Sequence, residues 1–127
     1  MRFTPGEMAV MRVLWEHGEQ KPSEIQQRFL EPIKNPALRS YLTILVEKGH
    51  IARRKVGKAY FYKAVTKQKR AFRSMLGELS EAFSDGSVRG LLFRLAEEES
   101  LTEADIQELQ SFVKKGNRER NRGKRDG

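Results

Sequence analysis

Residues 35–49 read NPALRSYLTILVEKG, and this stretch decides how the rest of the chain is read. Asn35 is suited to capping a helix, and Pro36 to its first position, where no backbone N–H is needed. Leu38, Leu42 and Leu45 then recur at helical spacing and define an apolar back. Ser40, Thr43 and Glu47 fall on the opposite side, with Arg39 on one flank and Ala37 and Ile44 on the other. Gly49 supplies a left-handed cap at the end. An apolar back with a small, polar, partly basic front fits a helix that lies against something other than its own core. A DNA recognition helix has that pattern.

Upstream, Thr4-Pro5-Gly6-Glu7 is a helix start, with Thr4 as cap, Pro5 in the first position and Glu7 as capping-box partner. Met8, Val10, Met11, Leu14 and Trp15 follow as its apolar stripe, and Gly18 ends it. Pro22-Ser23-Glu24 opens a short second helix carrying Ile25 and Phe29, which Pro32 closes. Downstream of Gly49 the period changes from helical to alternating. Ile51–Val56 (IARRKV) and Ala59–Ala64 (AYFYKA) are two strands, with Gly57-Lys58 as a tight turn between them. Tyr60 and Tyr62 share one face of the second strand. Three helices followed by a basic hairpin form a winged helix-turn-helix with a two- or three-stranded wing.

The remaining chain is helical. Phe72, Met75, Leu76, Leu79 and Phe83 form one stripe, ended by Asp85-Gly86. Ser87 caps a second helix with Val88, Leu91, Leu92 and Leu95. Thr102 caps a third, with Asp105 as its capping-box partner and Leu101 and Ile106 placed as a hydrophobic staple. Leu109, Phe112 and Val113 continue that stripe to Gly116. Three amphipathic helices in so short a stretch do not easily enclose a core of their own. Phe72, Met75, Leu76, Leu79, Leu91, Leu92, Leu95, Ile106, Leu109 and Phe112 are therefore expected to pack against a second copy. A monomeric subdomain folded back on the first lobe is the alternative. The expected organisation is mainly α: a winged-helix DNA-binding domain over 1–65, a three-helix dimerisation lobe over 66–116, and a disordered basic tail over 117–127.

The distribution of charge agrees with this division. Residues 1–65 hold 12 Lys/Arg against 6 Asp/Glu, residues 66–113 hold 6 against 9, and residues 114–127 hold 7 against 2. A basic lobe, a mildly acidic lobe and a basic end suit a polyanion binder with a separate assembly module. A merely solvated basic surface, and a merely solubilising tail, fit the counts equally. Glu7 and Arg12 interrupt the first apolar residues, so they do not read as a signal peptide, and no apolar run reaches membrane-spanning length. A cytoplasmic chain is expected. There is no Cys, and His17 and His50 stand at element ends without metal-ligand spacing. No phosphate-binding Gly loop or nucleophile motif occurs, so neither an enzyme nor a metal or other cofactor is expected.

In this reading Arg39 is the candidate for a bidentate guanine contact. Ser40 and Thr43 are candidates for base edges or phosphates, and Ala37 lies beside them. Arg53, Arg54, Lys55 and Lys58 of the hairpin are candidates for phosphate contacts. A symmetric dimer would present two such helices to a palindromic operator and act as a repressor. A winged helix used as a protein-interaction module, or as a nonspecific architectural binder of nucleic acid, is the competing reading.

The order and spacing of FTPGEMAVMRVLWEHG, SEI, ALRSYLTILVEKGHIARRKVGKAYFYKAV and LLFRLAEEESLTEADIQEL resemble the penicillinase and methicillin-resistance repressors, the BlaI/MecI/CopY family, over about residues 3–115. The resemblance implies an N-terminal winged helix, a C-terminal dimerisation domain and repression by operator occupancy. It also implies a candidate partner, since many members are paired with a membrane-bound metalloprotease that triggers their cleavage. The chain departs from the family pattern in three places. Ala37-Leu38 and Ile44 stand where the recognition helix usually carries Thr-Val and an Arg, so the operator sequence does not carry over. Arg94-Leu95 stands where cleaved members have an Asn-Phe bond. The C-terminal cysteines of the copper-responsive branch have no counterpart.

Overall fold

The computed structural model describes residues 2–126. Six helices and two strands follow in the order α1 (Pro5–His17), α2 (Pro22–Gln27), α3 (Asn35–Glu47), β1 (Ile51–Val56), β2 (Ala59–Ala64), α4 (Gln68–Phe83), α5 (Val88–Glu98) and α6 (Glu103–Asp126). The first five elements form a winged helix-turn-helix, with the two expected strands as its wing.

Four of the six helix starts have a local cause in a side-chain hydrogen bond. At α1 the Thr4 N–H donates to Glu7 Oε1 at 2.8 Å while the Glu7 N–H donates to Thr4 Oγ1 at 3.3 Å, completing the capping box. At α2 half of such a box forms: the Lys21 N–H donates to Glu24 Oε1 at 3.2 Å. The same reciprocal pair recurs at α6 between Thr102 and Asp105, at 3.0 and 3.1 Å. Ser87 Oγ accepts from the Gly90 N–H at 3.0 Å and starts α5. The wing is an antiparallel pair in the register Ile51↔Ala64 through Val56↔Ala59, closed by the Gly57-Lys58 turn. Gln20 bridges Tyr62 on the other side of β2, so the α1–α2 connection lies against the sheet.

One core holds this unit together. Val10, Met11, Val13 and Leu14 of α1 meet Ile25 of α2, Leu38, Leu42 and Leu45 of α3, Ile51 of β1 and Tyr62 of β2. Each buried aliphatic contributes on the order of 1.5–3 kcal/mol relative to exposure. Trp15 packs at the margin, and its indole Nε1–H donates to the Thr66 carbonyl at 2.8 Å. Gly6 lets α1 and α3 approach closely, because a Cβ there would overlap the Tyr41 ring.

Four boundaries differ from the sequence expectation. Asn35 does not cap α3; Lys34 occupies that position, and the Asn35 side chain instead accepts from Arg39 Nε at 2.7 Å, one turn on. The second helix ends at Gln27 rather than at Pro32, and Phe29 packs on the core from the connection that follows. The third C-terminal helix does not stop at Gly116 but continues to Asp126, so residues 117–126 are helical rather than disordered. Extending a nucleated helix adds one hydrogen bond per residue, and Arg, Lys and Glu are good helix formers. Finally, the compact units are Met1–Glu78 and Leu79–Gly127, dividing the chain within α4 rather than at residue 66. Ala71 in the first part of α4 is buried, and the Trp15–Thr66 bond ties the segment before it to the winged helix.

The C-terminal helices leave much apolar surface uncovered in a single chain. Phe72 is 64% exposed and Phe112 76%. Met75, Leu79, Leu92, Leu95, Ile106 and Leu109 are also exposed, while Leu76 is half-buried. Leu91, expected with them, is only 4% exposed and belongs to packing within the chain.

Candidate nucleic-acid interface

The back of α3 is fixed in the core by Leu38, Leu42 and Leu45, so the opposite side must face out. Ala37, Arg39, Ser40, Thr43 and Ile44 are all exposed there. The Asn35–Arg39 bond engages Nε, and the two terminal guanidinium nitrogens form a fork without a partner among the described residues. Thr43 Oγ1 donates to the Arg39 carbonyl at 2.9 Å, so the hydroxyl keeps its lone pairs for a partner, and the residue is exposed.

A groove of about 390 Å³ runs between the start of α3 and the wing. Arg39 and Asn35 line it from α3, Lys21, Pro22 and Ser23 from the start of α2, and Lys58, Ala59, Tyr60 and Tyr62 from the hairpin. Three cations, an amide, a serine hydroxyl and two tyrosines thus converge on one concave surface. Such a surface has donors for phosphate or base-edge oxygens and a positive potential to concentrate a polyanion.

The strand register separates the wing cations. Arg53 lies opposite Tyr62 and Lys55 opposite Tyr60, on the face that carries both tyrosines. The Arg53 guanidinium carbon is 4.9 Å from the Tyr60 ring centroid, and Lys55 Nζ is 5.8 Å from it. Tyr60 orients both charges without neutralising them. Arg54 projects from the other face, opposite Phe61, and is occupied by a carboxylate: Nη2 donates to Glu19 Oε1 at 2.7 Å and Nε to Glu19 Oε2 at 2.9 Å. The Arg54 hydrogen bonds hold the Glu19 carboxyl below its usual pKa. Of the four hairpin cations expected to act together, the structure groups Arg53, Lys55 and Lys58 with the groove side and sets Arg54 apart.

Behind this surface two polar links fix the end of α3. Glu7 is 1% exposed, and its Oε2 accepts from Lys48 Nζ at 3.1 Å. Burial pushes the Glu7 carboxyl up, but hydrogen bonds from Thr4 and Lys48 outweigh it, and the pKa lies below the ordinary value. His50 Nδ1 shares a 2.8 Å hydrogen bond with Thr66 Oγ1, and its ring lies 4.7 Å from that of Phe3. Burial, with the charge of Lys48 added, pushes its pKa down.

Lys21, Ser23, Asn35 and Tyr60 were not among the residues expected at this surface, yet they line the groove with Arg39 and Lys58. The sequence assigns Asn35 to a helix start and Tyr60 to strand alternation. Only the tight hairpin and the Pro22 start, read together, could have placed them side by side.

The model of the penicillinase repressor family matches residues 3–115. No match was found among curated proteins. Among solved structures, the transcriptional regulator PA4135 is 23% identical, with 79% of each chain covered and a TM-score of 0.50. The YusO protein from Bacillus subtilis is 21% identical over 91% of this chain and 74% of its own, with a TM-score of 0.52. H. salinarum RosR is 16% identical over 77% and 94%, with a TM-score of 0.50. At these identities the structural likeness speaks for the fold alone. The family match extends through both compact units and nearly to Gly116, so the chain belongs to the penicillinase repressor family.

Proposed function

We propose that this chain is a sequence-specific DNA-binding transcriptional repressor that occupies a dyad-symmetric operator as a homodimer. The observation that carries the reading is the convergence of Arg39 with Lys58 and Tyr60 across one groove, beside the exposed Ser40 and Thr43. In this reading α3 lies in a major groove. The fork of Arg39 is matched to guanine O6 and N7, and the Thr43 lone pairs and methyl are matched to an exocyclic amine or a thymine methyl. Arg53, Lys55 and Lys58 neutralise phosphates beside it and release counterions. Family membership and the apolar faces of α4, α5 and α6 support assembly with a second copy. One winged helix reads too few base pairs to find one site in a genome, and a two-fold dimer doubles the sequence read.

Footprinting on the DNA upstream of the chain's own gene tests the proposal. A protected segment with dyad symmetry is expected, with affinity falling steeply as salt rises. An unprotected region, or protection without symmetry, would overturn it.

A further inference from the structure

The last turns of α6 carry a charge pattern that the groove does not use. Lys114, Arg118 and Arg122 follow one another at four-residue spacing, and all three are exposed. Four residues of helix rise about 6 Å, so the three cations form a stripe about 12 Å long on one face. At 3.6 residues per turn this face lies opposite the one carrying Ile106, Leu109, Phe112 and Val113. Lys115 flanks the stripe. Arg120 does not belong to it: it is on the apolar side of the helix and folds back, with Nη2 donating to Asn117 Oδ1 at 2.8 Å and Nε to the Gly116 carbonyl at 3.4 Å. Glu119 is the one acid among residues 114–123, and it lies off the line of the three cations. Most of the stripe is beyond residue 115, where the match to the family ends.

We infer that the end of α6 is a second DNA-contacting element that binds phosphates without reading sequence. The inference rests on the DNA-binding reading above. Its apolar face is left to the chain's assembly and its basic face to a polyanion. A row of fixed cations on a rigid helix matches a row of phosphates better than the same charges on a disordered tail, because no helix has to be ordered on binding. Residues 114–127 carry 7 Lys/Arg against 2 Asp/Glu, which gives the charge complementarity that a duplex requires.

The test measures the salt dependence of binding to a duplex of arbitrary sequence, comparing the full chain with its K114Q/R118Q/R122Q variant. Removing three phosphate contacts should make the slope of log affinity against log salt shallower by about 2.7 for each chain engaged. Between about 50 and 200 mM salt the variant should therefore lose affinity about 40-fold less steeply. The charge-conserving K114R/R118K/R122K variant should keep the full slope. Circular dichroism and sedimentation establish that both variants keep their helix content and assembly. An unchanged slope in the glutamine variant would overturn the inference, as would an equal loss in the charge-conserving one. So would an unchanged duplex slope accompanied by lost binding to phosphatidylserine vesicles, which would assign the stripe to an acidic membrane surface. If K58Q flattens the slope while the α6 variant does not, the groove stands and only this inference fails. If the full chain binds no duplex at all, the functional reading itself fails.

Discussion

The guanidinium of Arg54 forks onto the carboxylate of Glu19, with Nη2–Oε1 at 2.7 Å and Nε–Oε2 at 2.9 Å. The pair joins β1 of the wing to the turn that follows α1, at the point where Gln20 bridges Tyr62. It does two things. It fixes the wing relative to the helices, and it withholds one wing cation from an incoming polyanion. Bidentate geometry makes this pair more specific than an ordinary surface contact.

Glu19→Gln should free that cation. Binding to duplexes of arbitrary sequence should strengthen at low salt, and the salt slope should steepen by about 0.9 per chain as Arg54 gains a phosphate. Discrimination between operator and other DNA should fall, because the added contact is blind to sequence. Fluorescence anisotropy across a salt series reads both effects. A slope equal to that of the parent chain would show that Arg54 stays away from DNA even when unpaired.

Arg39 and Lys58 line one groove but should fail differently. Arg39→Ala removes a fork matched to a base edge, at a cost of about 1–3 kcal/mol on the preferred site, and it should relax preference at one base pair of each half-site. Lys58→Gln removes a phosphate contact, so it should weaken all duplexes alike and flatten the salt slope by about 1. Competition between base-substituted operators separates the two. Uniform weakening by Arg39→Ala would make Arg39 a phosphate contact.

How far these elements were legible from sequence depends on how local their causes are. The Leu38–Leu42–Leu45 stripe, the Thr4–Glu7 and Thr102–Asp105 boxes and the alternation around Gly57-Lys58 are set within a few residues, and each appears in the structure as read. Arg54–Glu19 and Lys48–Glu7 are partners 35 and 41 residues apart, with no signature in the order of residues. Four cations near one turn therefore looked alike until the register placed Arg54 on the other face from Arg53 and Lys55. The capping assignment of Asn35 failed because a side chain that can cap can equally accept from an arginine four residues on. The end of α6 was missed because the apolar stripe stops at Val113, and a helix needs no such stripe to propagate once nucleated.

Two titrating groups near the end of α3, the buried Glu7 and the half-buried His50, give stability a pH dependence with separate windows. Folding lowers the His50 pKa below its ordinary 6.5, so the unfolded chain takes up a proton first. The His50 contribution is complete above about pH 6.5 and is lost as pH falls below it. Folding lowers the Glu7 pKa below its ordinary 4.5, so that contribution is complete above this value and is lost only in stronger acid, through the folded pKa. Urea midpoints should therefore fall in two stages on acidification. His50→Gln should flatten the first stage and leave the second. Glu7→Gln should lower stability at neutral pH by about 1–2 kcal/mol, given that Lys48 is half-exposed, and flatten the second. A first stage that persists in His50→Gln would assign it to another group.

The exposed apolar side chains of α5 test the proposed assembly, provided the right leucines are chosen. Leu91 is unsuitable, since a charge at a side chain already buried within the chain would disrupt the fold itself. Leu92 and Leu95 are about half exposed in the single chain, so a charge there costs the isolated chain little. In a dimer interface the same charges would be desolvated without partners. Leu92→Glu with Leu95→Glu should therefore keep the helical circular dichroism and the thermal transition of the winged helix while shifting sedimentation from dimer to monomer. Losing the second half-site should lower operator affinity about 100-fold or more, because the two recognition helices no longer bind as one unit. Affinity for duplexes of arbitrary sequence should change far less, since each monomer keeps its own cations. A variant that stays dimeric with full operator affinity would place the interface on another face, and the exposed side chains Phe72, Met75 and Phe112 of α4 and α6 would then be tested in the same way.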